Sequence, residues 1–186
     1  MSQKFPPTLF PDLETKRLNL RQTTMRDAEA VFAVFSDPRV TQFHNLDTFT
    51  QMSEAVKVIE QRSKVFKAKR GIRWGIACKP DDCLIGSCGF NWNKELTAAE
   101  IGYELDSQFW RRGIMSEVLY AILQYGFDKE LKLVMAEVML DNVASRKLLE
   151  KFGFQSQGVF KQHGFWKGKY HDLERFILTK TDFVAM

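Results

Sequence analysis

A chain of 186 residues is long enough for one domain with a full core, and 45% hydrophobic with 13% aromatic residues excludes a disordered chain. A net charge of +4 is too mild to argue for direct nucleic-acid binding and fits a surface that attracts one anionic ligand. No window approaches transmembrane length, and the proline-bearing start MSQKFPPTLFPDL lacks the apolar run of a signal peptide, so a soluble, cytoplasmic protein without membrane contact is expected.

In chain order, KRLNLRQ alternates apolar and polar residues and reads as a strand over 16–22. Residues 27–36 set Ala28, Val31, Phe32 and Phe35 on one helical stripe. After the loop DPRVTQFHNLDTFT, a second helix carries Met52, Val56, Ile59 and Phe66 on one face. RWGIACKPDDCLIGSCGF reads as a hairpin turned by Pro80 and two aspartates. Cys78 and Cys83 flank that turn and can face each other across it. With Cys88 they form no CxxC pattern and read as small buried hydrophobes in a reducing compartment. The three histidines lack ligand spacing, so no metal is expected.

A strand over about 97–105 follows, then a helix aligning Ile114, Val118, Ala121, Ile122 and Tyr125. LVMAEVML, from 133, is short, apolar and β-rich, as a central strand is. DNVASRKLLEKFGF is a helix closed by Gly153, with Ala144, Leu148 and Phe152 at a spacing of four. Two last strands lie near 157–161 and 170–178, joined by a turn around 166–168. The strand–helix–strand order from 97 to 140 is a βαβ unit with parallel strands, and the flanking hairpins are antiparallel, giving a mixed α/β sheet.

The stretch FWRRGIMSE puts two arginines and a glycine in front of a helix that Ser, Asp or Asn would cap better. A helix start after a strand offers free backbone N–H groups and the positive end of the dipole. Gly113 lets the backbone approach a bulky anion, and Arg111 and Arg112 add charge, which suits a pyrophosphate. The plainer alternative is that both arginines are solvated and Gly113 is only a turn residue. No Walker loop or GxGxxG fingerprint is present.

From Leu13 to Thr179 the chain carries LETKRLNLRQTTMRDA, LIGSCGF, AEIGYELDSQFWRRGIMSE, DNVASRKLLEKFGF and FWKGKYHDLERFIL in order. In these motifs and their spacing it resembles the GNAT acyl-CoA-dependent N-acetyltransferases. The branch it is most similar to is the RimJ/RimL-like group, which acetylates ribosomal-protein amino termini. The resemblance implies a single domain over 1–186 with its core at about 13–179. It implies an α/β (α+β) fold: a mostly antiparallel seven-stranded sheet with a central parallel βαβ unit and four main helices. It also implies acetyl-CoA as cosubstrate and no metal. The family's pyrophosphate turn, Q/R-x-x-G-x-G/A, falls on residues 110–115. Trp110 departs from it in a way common in this branch, and Met115 stands where Gly or Ala is usual. Arg111, Arg112, Gly113, Ile114, Met115 and Ser116 are thereby cofactor-binding positions. Asn142 is the implied pantetheine contact, and a backbone N–H near Leu105 would polarise the thioester carbonyl where the two parallel strands splay.

The implied reaction is direct attack of a primary amine on the acetyl thioester in a ternary complex. An α-amino group, with a pKa of about 7.7–8.0, costs about 1 kcal/mol to deprotonate at pH 7, whereas a lysine at about 10.4 costs about 4.6 kcal/mol. A modest base acting through water is enough for the first. Glu100 is the candidate, on the strand bordering the cleft with Gly102 and Glu104 as alternation partners; its plain reading is a solvent-facing carboxylate. Glu104 and His163 are further candidates, and Glu104 is also an expected acceptor contact. The family's usual acid, a tyrosine, is Leu149 here. Ser145, one turn after Asn142, takes the place of the serine donor of the RimJ/RimL-like branch; locally, Asn142 reads as an N-cap and Ser145 as a surface residue. The acidic residue some relatives use in the last hairpin is absent, with Gly164 near its place.

In this family the acceptor loops correspond to DPRVTQFHNLDTFT and KQHGFWKGKYHD, which supply Phe43, His44, Phe165, Trp166 and Tyr170. They are aromatic and hardly acidic, whereas a polyamine site would cluster Asp and Glu. The expected acceptor is therefore a protein or peptide amino terminus. A small amine, polyamine or antibiotic is the alternative, and a non-catalytic acyl-CoA-binding module, suggested by Leu149 and Met115, is another. A monomer or homodimer fits equally.

Overall fold

The computed structural model describes residues 6–184; the first five residues of the chain, and so part of the stretch read for a signal peptide, lie outside them. The alternating and periodic segments become, in order, β1 (Leu13–Glu14), β2 (Leu18–Gln22), α1 (Ala28–Ser36), α2 (Pro38–Thr41), α3 (Met52–Lys67), β3 (Gly71–Cys78) and β4 (Cys83–Trp92). They continue with β5 (Ala98–Leu105), α4 (Ile114–Asp128), β6 (Leu133–Met139), α5 (Val143–Lys151), β7 (Gln155–Trp166), β8 (Lys169–Thr179) and α6 (Lys180–Val184). One eight-stranded sheet runs β1-β2-β3-β4-β5-β6-β8-β7. Every pair is antiparallel except β5–β6, which is the expected parallel βαβ unit.

The sheet has eight strands rather than the expected seven. The extra one, β1, pairs with β2 only through Leu13 and Glu14, too short a run to show alternation. The last hairpin is also longer than expected, because β7 is almost wholly exposed and interrupted by two register shifts, so no face of it alternates. The four main helices are α1, α3, α4 and α5, with short α2 and α6 added. Cys78 and Cys83 are register partners across the β3–β4 turn, as their spacing allowed. Of the three cysteines, only Cys88 is fully buried and Cys83 is exposed, which corrects the reading of all three as buried.

Alternation on β3 decides which residues serve which layer. Ile72, Trp74 and Ile76 join the main core with Val118, Ile122 and Phe127 of α4, and the Trp74 ring meets Tyr125 edge-on at 5.3 Å. Arg73 takes the opposite face, where α1 and α3 build a second apolar cluster from Val31, Phe35 and Ile59 against Leu84. The feature that positions the site is the β5–β6 pair. Its register covers only Ala98↔Leu133, Ala99↔Val134 and Glu100↔Met135. Beyond those pairs β5 stays with β4 as far as Leu105, and β6 stays with β8 as far as Met139. Each strand follows its outer partner, and a gap opens between them.

Leu149, at the family's tyrosine position, is fully buried in the main core. Leu149→Ala should lower unfolding free energy by about 2–5 kcal/mol, the usual cost of a leucine-sized cavity. Urea denaturation checks this, and a loss below about 1 kcal/mol would contradict the packing described.

Candidate active site

The turn before α4 contains two left-handed residues, Arg111 (φ 60°) and Gly113 (φ 71°). Such a curl turns successive N–H groups toward a common concavity that suits an anion. Among the described residues, the N–H groups of 112–116 donate to no protein acceptor, and the helix ladder begins only with Glu117 N–H to the Gly113 carbonyl at 3.2 Å. A Cβ at Gly113 would meet only Arg17 Nη2, at 3.8 Å, so glycine is required by the backbone angle and not by crowding. The turn is held from outside. Arg17 donates from Nη1 to the Arg112 carbonyl at 3.0 Å and from Nε to Glu117 Oε2 at 2.6 Å. Carbonyl and carboxylate are thus occupied while the amides stay free. Arg111 and Arg112 are exposed and make no ion pair among the described residues; the Arg112 guanidinium lies 5.5 Å from the Phe109 ring.

The two departures from the family pattern have local reasons. The Trp110 indole donates to the Leu105 carbonyl at 2.8 Å and ties the end of β5 to the turn. Met115 leans on the main core while bordering a groove of about 480 Å³. Leu105, Gly113, Ile114, Ser116 and Ala144 also line this groove. Asp106 N–H donates to the Ile85 carbonyl of β4 at 2.8 Å. Backbone groups alternate sides along a strand, so the N–H groups of Tyr103 and Leu105 are directed away from β4, into the gap.

Asn142 caps α5, accepting from Ser145 N–H at 3.2 Å, so its local reading holds; it also lines the groove. The Ser145 hydroxyl lies 2.7 Å from the Tyr103 hydroxyl, and either can donate. Burial pushes the Tyr103 phenol above its ordinary range, with the Ser145 bond offsetting this in part. Phe43, His44, Tyr103, Asn142 and Ser145 border both the groove and a second cavity of about 450 Å³.

Glu100 lines that second cavity, exposed at its wall. Partial burial and then the charge of Glu137 raise its carboxyl above the ordinary range, with Arg175 opposing. Glu137 on β6 is paired with Arg175 on β8 at 2.6 and 2.9 Å. His163, expected as a possible base, stands 3.3 Å from Glu137 and 3.2 Å from Arg175 and lies outside the lining of that cavity.

Glu104 differs sharply from its neighbour on the same face. Its oxygens are held by Arg62 Nη2 at 2.8 Å, by Arg73 and by the Ser87 hydroxyl. Burial alone would raise its carboxyl, but Arg73, Arg62, His44 and Ser87 bring it down to about 2. Its expected roles as base and acceptor contact are therefore corrected: it is a fully engaged anion. His44 lies 3.9 Å from it, and its Nδ1 accepts from Leu46 N–H at 3.1 Å. Burial lowers the imidazole pKa, so His44 is neutral at pH 7.

Trp166 lines the second cavity. A Cβ at Gly164 would come within 1.9 Å of its ring, so any side chain there requires the ring to move. Tyr170 corrects the expectation for the hairpin. Its ring meets that of Phe165 at a tilt, centroids 4.8 Å apart, at the exposed tip, and both lie outside the two cavities. Composition placed these rings in the loop but could not say where they point. Tyr103, Glu137, Arg175, Arg62 and Arg73 were missed. For Arg73 and Glu137 a signal existed: each is a lone charge inside an apolar run.

Among the described residues no helix is long and apolar enough to cross a membrane, and no group of three His, Cys, Asp or Glu side chains could hold a metal. Residues 17–155 match the acetyltransferase (GNAT) domain family. An uncharacterized N-acetyltransferase of Bacillus subtilis (strain 168), YoaA, is 41% identical over 174 residues, covering 92% of this chain and 98% of its own. The ribosomal-protein-serine acetyltransferase of Escherichia coli (strain K12) is 31% identical over 134 residues, 71% of this chain and 74% of that one. The solved structure of RimL, a ribosomal L7/L12 alpha-N-protein acetyltransferase in complex with coenzyme A, superposes with a TM-score of 0.80 at 23% identity. It covers 91% of this chain and 98% of that one, a likeness of fold. The chain belongs to the acetyltransferase (GNAT) domain family, as an N-acetyltransferase.

Proposed function

We propose that this enzyme acetylates the α-amino group of a protein or peptide by direct attack on bound acetyl-CoA. The observation that carries the reading is the meeting of groove and cavity at Tyr103, Asn142 and Ser145, where an amine from one side reaches a thioester from the other. The diphosphate sits on the free amides of 112–116, with Arg111 and Arg112 adding charge. The pantetheine arm fills the gap between β5 and β6. Along a strand, Glu100 is about 16 Å from Leu105 but only about 10 Å from Tyr103. The N–H within reach of a water-mediated base is therefore that of Tyr103, which polarises the thioester carbonyl, while Leu105 serves the pantetheine arm. Glu100 receives the amine proton through water. Ser145, held by Tyr103, gives a proton to the leaving thiolate.

The low cost of deprotonating an α-amine supports a protein or peptide terminus, as does the 31% identical relative that acts on a ribosomal protein's serine. A small-molecule amine is the second reading, favoured by a cavity of about 450 Å³, within the usual range for small ligands. Mass spectrometry of a mixed panel of peptides and small amines decides between them. Acetyl on peptide α-amines is expected, and acetyl on small amines alone would favour the second reading. Binding of CoA without transfer to any acceptor would overturn both.

Ser145→Ala should lower kcat by about tenfold or more. This is the lower end for general acids or below, because a thiol with a pKa near 8.5 is an easy leaving group. A loss under about threefold in steady-state assays removes Ser145 as the acid. Glu100→Gln should lower kcat by about 10- to 100-fold. A base with a raised pKa is protonated, and activity lost, as pH falls through that pKa. Glu137→Gln removes a like charge and frees Arg175, so the acid limb of the kcat–pH profile should move to lower pH. A limb that stays fixed or moves up would contradict Glu100 as the base.

A further inference from the structure

The second cavity has ends of opposite charge. Glu100 and the Glu137–Arg175 pair stand at one end. At the other, two guanidinium groups converge on one carboxylate, with Arg62 and Arg73 both bound to Glu104. One arginine would neutralise Glu104, so the second leaves a surplus positive charge in a wall where the two side chains are only 13% and 23% exposed. Burial, together with the nearby Arg73, lowers Arg62 to about 10 despite the attraction of Glu104.

The hydrogen-bond inventory has the same sign. Arg73 uses Nε on Ser87 at 2.7 Å and Nη2 on Glu104, leaving Nη1 without an acceptor among the described residues. That Nη1 lies over Gly102, 3.5 Å from where a Cβ would stand, on the stretch of β5 between Glu100 and Glu104. Arg62 uses only Nη2, so its Nε and Nη1 are likewise uncommitted. Trp166, lining the same cavity, has a buried indole N–H with no partner. Buried donors are rarely left unmatched, and a guanidinium fork fits an oxyanion. The uncommitted groups of Arg62 and Arg73 at this end, and of Trp166 in the same cavity, are all donors.

We propose that the acceptor carries a carboxylate or phosphate close to its reacting amine, bound by Arg62, Arg73 and the Trp166 indole while the amine faces Glu100. This rests on the reading of the second cavity as the acceptor site. In a peptide the anion is an acidic or phosphorylated side chain at the first or second residue. In a small molecule it is the acid group of an amino acid or amino phosphate.

The test is a matched acceptor panel given to the full-length enzyme with acetyl-CoA: peptides beginning Ser-Asp, Ser-Asn and Ser-Lys, and free amino acids beside their carboxamides. The peptide and amino-acid arms separate the two sources of the anion. In at least one arm kcat/KM should favour the anionic member over its neutral partner by at least about tenfold, and the lysine peptide should be the poorest. Arg62→Gln should bring that ratio to within about threefold of one. Because Arg62→Gln can fail to fold with Glu104 left short of a partner, Trp166→Phe, which removes the N–H together with part of the indole ring, is measured beside it and should also reduce the ratio. Ratios within about threefold of one in the wild-type enzyme, or a preference for the lysine peptide, overturn this inference and leave the acetyltransferase reading standing. Transfer to no acceptor at all overturns that reading and this inference with it.

Discussion

The site exists because β5 and β6 stop pairing after Glu100 and Met135 while each keeps its outer neighbour. An interior strand that loses its partner exposes N–H and C=O groups that must be satisfied by something else. A strand-like ligand arm is well suited to that gap, since it can offer amide groups at strand spacing. The turn that follows β5 extends the same logic, with free amides at its apex and its carbonyl side tied down by Arg17. Trp110 joins the two features through the Leu105 carbonyl. The binding elements of the proposed coenzyme site are thus mostly backbone, which leaves room for Met115 in place of a smaller residue.

Side chains take over where groove and cavity meet. Two glutamates two turns of alternation apart on β5 are driven in opposite directions by their surroundings. Glu104 is sunk among cations and stays ionised, while Glu100 is raised above the ordinary range, first by partial burial and then by the like charge of Glu137. A sequence pattern treats them as equivalent residues on one face. Only the positions of Arg62, Arg73 and Glu137, contributed by α3, β3 and β6, tell them apart.

Legibility in the sequence followed how local the cause was. The βαβ unit, the four main helices and the β3–β4 hairpin are written in periodicity and turn residues, and the structure shows them with ends shifted by a few residues. The exposed β7 carried no alternation to read. Gly113 was legible as a turn glycine, because a left-handed angle is a local demand. Gly164 was not, because the ring that requires it belongs to Trp166 on the same hairpin and its direction depends on tertiary packing. Tyr103 was hidden for a related reason: alternation assigns it to the core-facing side, and only the start of α5 brings Ser145 to its hydroxyl. Phe165 and Tyr170 show the converse, since loop composition named aromatics whose rings meet each other at the exposed tip, outside both cavities.

The most direct measurement is amide hydrogen exchange, resolved by residue, with and without CoA. The unpaired N–H groups of 112–116, and those of Tyr103 and Leu105 facing the gap, should exchange quickly in the free enzyme and become protected on CoA binding. Binding that leaves these amides unprotected, with protection appearing elsewhere in the chain, would contradict a coenzyme held by the backbone of this turn and gap.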